Sequence, residues 1–171
     1  KTTSAVLELV RQLPVGAARD DLSRLAALAT GPISVSEFAA LTAPIGSDEI
    51  LLELFERVSS RITELTPAQL LSLLSQRPAG ELRNSLLLMA AANLSSIDRD
   101  GLRNLLLSCS TWGCREALVR SVSAKIPVSP AATLGEILLI LPAESDRDRL
   151  LLLSAELTAS PSAGAVASLL S

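Results

Sequence analysis

The chain has 171 residues, enough for one compact domain with a substantial core, and 49% of them are hydrophobic while only 2% are aromatic. A net charge of −3, from 15 basic and 18 acidic side chains with no polybasic run, argues against nucleic acid as a partner, as does the lack of aromatic stacking platforms. There is no His and no Tyr, which removes the commonest general base, the Ser-His and Cys-His pairs and most zinc sites, so no catalytic, cofactor-binding or metal-binding residue is expected.

Leu and Ala dominate and β-branched and aromatic residues are few, so the expectation is an all-α chain. Apolar residues recur at a spacing of 32 without insertion: Val6, Phe38, Leu70, Leu102, Leu134 and Val166 form one column. Leu9, Leu41, Leu73, Leu105, Ile137 and Leu169 form a second, and Leu22, Leu54, Leu86, Leu118 and Leu150 a third. This divides the chain into helical hairpins at 2–33, 34–65, 66–97, 98–129 and 130–161, with an unpaired helix in the partial unit 162–171.

Local signals place the helices of each unit. The first hairpin turns at Pro14. The second opens on Ser34 and Glu37, a capping box in which side chains satisfy the free amides of a first turn, and turns at Gly46. The third opens on Thr66 and Gln69, with Pro67 just inside the helix where its missing N–H costs nothing, and turns at Pro78. The fourth starts at Asp98 and Asp100, carboxylates suited to capping amides and complementing the helix dipole. The fifth turns at Pro142.

A period of this size points to a right-handed α-solenoid, in which each hairpin buries its face against its neighbours; a closed helical bundle is the alternative. Val6 and Leu9 at one end, and Leu169 and Leu170 at the other, have no partner hairpin in the repeat, which suggests head-to-tail assembly. The uncharged stretches 84–97 and 157–171 are both shorter than the ~20 residues of a membrane-spanning helix, so a soluble chain is expected.

Three features carry candidate chemistry. Arg19, Arg83, Arg115 and Arg147 share a column three residues before the recurrent Leu, interrupted by Leu51. They suit either a ridge that binds carboxylates or salt bridges between adjacent hairpins. The segment "CSTWGC" puts Cys109 in the column of Leu13, Ile45 and Leu141, and Cys114 in that of Ala18, Ile50 and Leu82, around a turn. Two buried thiols and a disulfide both fit, and a disulfide would favour an extracytoplasmic or lumenal compartment. Trp112, in a turn column of exposed residue types, is either a contact anchor or folded back over the hairpin end.

The segments "FAALTAPIGSDEILLELFERVSSRI" (38–62) and "LRNSLLLMAAANLSSIDRDGLRNLL" (82–106) resemble the helical region preceding the catalytic domain of certain cyanobacterial α/β-hydrolases, where a Pro/Gly turn leads into a Leu-rich helix and an Ala-rich helix follows. The chain departs from that family in having no nucleophile elbow and no catalytic His. The resemblance implies an accessory helical domain, not catalysis. The residues themselves lead to a non-enzymatic protein-interaction or scaffold module. A subunit that assembles end to end, or docks permanently in a larger complex, is the rival. The expected partner is a protein or a second copy of the chain.

Overall fold

The computed structural model describes residues 2–122 together with Lys125, Asp148, Arg149, Leu152 and Leu153. The hairpin expected at 130–161 and the helix from 162, with Arg147, Leu169 and Leu170, lie outside the described residues apart from those last four. What is described is all-α. Eight α-helices follow one another: α1 (Thr2–Gln12), α2 (Ala17–Ala29), α3 (Val35–Thr42), α4 (Asp48–Val58), α5 (Pro67–Leu74), α6 (Glu81–Ala91), α7 (Arg99–Ser108) and α8 (Trp112–Val122). A single turn of 3-10 helix, Ser59–Arg61, extends α4, and Ile33 and Ile62 form one isolated parallel bridge. No helix among the described residues is long and apolar enough to cross a membrane.

The helix starts follow from side chains that satisfy first-turn amides. Ser34 and Glu37 form a reciprocal capping box on α3, and Thr66 and Gln69 form another on α5. Ser47 accepts from the Ile50 amide, Asp98 from the Gly101 amide, and Thr111 from the Cys114 amide. α2 and α6 start instead from Gly16 and Gly80, at φ 153° and φ 158° with extended ψ. That region is all but reserved for glycine, so these two starts use backbone freedom where the others use a side chain.

The second helix of each hairpin packs on the second helix of the next: α2 on α4, α4 on α6, α6 on α8. Phe38, Leu70 and Leu102 are fully buried, and so are Leu54, Leu86 and Leu118. Phe38 meets Phe55 edge to face, with ring centroids 5.0 Å apart. The apolar column at Leu9, Leu41, Leu73 and Leu105 is less uniform than its spacing suggests: Leu41 and Leu105 are buried, Leu73 is half-buried and Leu9 is 54% exposed. One residue on, Val10, Thr42, Leu74 and Leu106 are all buried. Thr42 hides its hydroxyl by donating to the Phe38 carbonyl at 2.9 Å, which lets a polar residue occupy a core position.

Alternate hairpins are built alike, so the working period is two repeats. Buried Asp20 accepts from the amides of Gly46 and Ser47 at 3.1–3.3 Å. The corresponding residues 64 positions on behave in the same way: Asn84 accepts from the Ser110 amide at 3.1 Å and donates to the Ser110 hydroxyl at 2.7 Å. In the hairpin between them the pair is Leu52 and Pro78. Where the amide is missing, so is the polar side chain that would answer it.

Cationic side chains close helix ends across hairpins. Arg61 donates to the carbonyls of Ala27, Leu28 and Thr30 at the end of α2, and Lys125 donates to the Ala92 carbonyl at the end of α6. These are the last carbonyls, which have no partner within their helix, and they carry the negative end of its dipole. Arg24 and Glu53 add a two-bond ion pair between α2 and α4, with Nε to Oε2 at 2.5 Å and Nη2 to Oε1 at 3.2 Å. The bonds from Arg24 hold the Glu53 carboxyl below its ordinary pKa. A depressed folded-state value means stability that is present above the unfolded pKa of about 4.3 and lost as pH falls through the folded one. Unfolding free energy measured between about pH 5 and about pH 3 is therefore expected to fall less steeply in Glu53→Gln than in the native chain. Equal slopes would show that the pair contributes nothing.

Candidate functional site

The seams between successive first helices are not alike. α1 packs on α3, and α5 on α7, but α3 and α5 do not meet in this way. Between them runs a groove of about 480 Å³. In the α5–α7 seam, Gly101 lies so close to Pro67 that an added Cβ would stand 2.7 Å from the proline Cγ. One repeat earlier the matching positions are Gln69 and Val35, and both line the groove.

The floor of the groove is apolar, with Leu51 and Phe55 from α4, Leu74 from α5 and Leu86 from α6. Ala39 and Ala43 make one wall low. The rim is polar and largely neutral, with Ser34, Ser36, Ser72 and Gln76. Arg77 sits at one end, where its Nη2 donates to the Thr42 and Ile45 carbonyls at 3.1 and 2.9 Å. Glu64 stands in the groove wall with φ 56°, the left-handed conformation a non-glycine residue rarely adopts, at a cost of roughly 1–2 kcal/mol. On the α3 side, Ser34 holds the Glu37 carboxyl below its ordinary pKa through its hydroxyl and its amide, so the cap carries a full negative charge at neutral pH.

Among the described residues, the groove lining includes none of the candidate contact, cysteine or assembly residues named from the sequence. Arg115 donates to the carbonyls of Leu106 and Cys109, at 3.2 and 3.4 Å, closing the end of α7. Arg19 and Arg83 are half-buried, and the Nε of each is buried without a hydrogen-bond partner among the described residues. Arg24 and Glu53, which no column picks out, make an ion pair between hairpins. Trp112 is the first residue of α8 and not part of the turn. It is half-buried against the core, with the Arg149 guanidinium 5.8 Å from its ring centroid. Val6 is half-buried, whereas Leu9 is exposed together with Val15 and Leu25.

Cys109 and Cys114 are both buried, and their sulfurs are 2.8 Å apart. The column that Cys114 shares is not uniformly core: Ala18 is exposed, and Ile50 and Leu82 are half-buried. No cluster of three or more His, Cys, Asp or Glu side chains suited to a metal occurs among the described residues.

No family model matches the chain, and no curated protein or solved structure matches it either. The groove has no motif in the sequence because it is a gap, produced by what one seam lacks.

Proposed function

We propose that the chain is a non-enzymatic helical-repeat module, a right-handed α-solenoid of 32-residue hairpins, that binds an extended segment of a partner protein in the groove between α3 and α5. The observation that carries this reading is the groove itself: a seam left open between two helices whose counterparts on either side are packed. An apolar floor under a rim of hydroxyl and amide groups suits a peptide whose alternate side chains point down, while its backbone is bonded along the edges. The chain-order packing of the second helices supports the solenoid.

The test is selection from a displayed library of random peptides on the native chain. Enriched peptides should bind with micromolar affinity and weaken at least tenfold, about 1.4 kcal/mol, against Ser72→Trp, which fills the groove from its exposed rim. Binders indifferent to that substitution would overturn the reading.

Assembly end to end is a second reading, favoured by Leu9, Val15 and Leu25, large apolar side chains left exposed on the first hairpin. Light scattering over a wide concentration range separates the two. Growth in mass that Leu25→Glu abolishes supports assembly, and a constant monomer mass rules it out.

A further inference from the structure

We propose that Cys109 and Cys114 form a reversible redox site, in which a small hydroperoxide converts the two thiols to an intramolecular disulfide. The placement is specific. Cys109 follows the last turn of α7 and Cys114 lies in the first turn of α8, so the pair brackets the connection between them. Their sulfurs are 2.8 Å apart, against the bonded distance of about 2.05 Å, so closure needs only a small movement of side chains. Neither sulfur has a competing role: the two cysteines hydrogen-bond to one another, and no metal-binding cluster includes them among the described residues.

The two thiols are not equivalent. The hydrogen bond between the two sulfurs holds the Cys114 thiol below its ordinary pKa, and the Arg115 charge acts in the same direction. The same bond, together with burial, pushes the Cys109 thiol up. The amide of Cys114 is already directed to Thr111, within a helix start that favours negative charge. Cys114 is therefore the sulfur that attacks.

The chemistry balances in two steps. The Cys114 thiolate attacks one oxygen of hydrogen peroxide, the O–O bond breaks, and the departing hydroxide takes a proton to leave as water, with a sulfenic acid on Cys114. Cys109 then attacks that sulfur, the S–O bond breaks, and the second hydroxide leaves as water with the Cys109 proton. Overall, two thiols and one peroxide become a disulfide and two waters. A small neutral oxidant suits sulfurs this buried; the exposed Ser110, Thr111 and Gly113 offer a local approach that does not cross the core. The product ties the end of α7 to the start of α8 and fixes Trp112, which lies between the two cysteines in sequence.

The experiment treats the native chain with hydrogen peroxide, quenches it in acid, unfolds it, alkylates it and measures the intact mass. The expected result is loss of both alkylatable thiols together, a mass lower by two hydrogens, and recovery of both on treatment with dithiothreitol. The oxidised chain should also melt about 4–8 °C higher, as closing a short loop predicts for a chain of this size. Cys109→Ser should accumulate a dimedone-reactive sulfenic acid on Cys114, whereas Cys114→Ser should leave Cys109 a slow-reacting thiol. Two thiols still alkylated after peroxide, or disulfides formed only between chains, would overturn the site. Equal dimedone labelling of the two variants would overturn the order of attack. Should either variant fail to fold, the mass of the native chain still decides whether the disulfide forms.

Discussion

Leu54→Ala should lower the unfolding free energy by about 3–4 kcal/mol, while Leu22→Ala, the same substitution one repeat earlier, should cost about 1–2 kcal/mol. The side chain is identical and so is its place in the repeat. Leu54 is fully buried in α4, which packs between α2 and α6, so truncation leaves a cavity walled on both sides by helices that cannot collapse into it. Leu22 is half-buried in the first hairpin, where water already reaches part of the side chain and replaces some of the lost contact. Urea denaturation checks both, with the slope required to stay constant so that the midpoint reports stability alone. Equal losses at the two positions would mean that neighbouring hairpins do not supply the cover.

Asp20→Leu should cost about 2–3 kcal/mol, because it strips from the Gly46 and Ser47 amides the charged acceptor that both share. The size of the effect is less informative than its rescue. One repeat on, the chain itself carries Leu52 with Pro78, a residue without an N–H to satisfy. Building that pair at the earlier position, Asp20→Leu with Gly46→Pro, should recover at least 1 kcal/mol of the loss, a non-additivity that a double-mutant cycle reads directly. A double variant no better than the sum of its parts would show that the alternation between hairpins is incidental.

Much of the local architecture is legible in the sequence. Ser34 with Glu37 and Thr66 with Gln69 announce helix starts because a capping box depends on residues three apart, within reach of one turn of backbone. The buried positions Phe38, Leu70 and Leu102 follow from a period that places them on one face. By contrast, the partners of Arg61, Arg77 and Arg115 are carbonyl groups, which every residue possesses, so no residue type in the sequence points to them. Leu9 and Leu73 depart from their column for a related reason: a column records which residue recurs and not whether a neighbour is there to cover it.

The helical character of the chain, the order of its hairpins and the starts of its capped helices are properties of the sequence alone, because they depend on interactions within a few residues. Other outcomes belong to the tertiary structure: α3 and α5 stand apart while α5 and α7 touch, two cysteines five residues apart bring their sulfurs to 2.8 Å, and arginines turn to the ends of helices. They rest on contacts between segments distant in sequence, or on how a turn closes in space. At such a contact a Cβ on Gly101 would stand 2.7 Å from Pro67, and no periodicity records so close an approach.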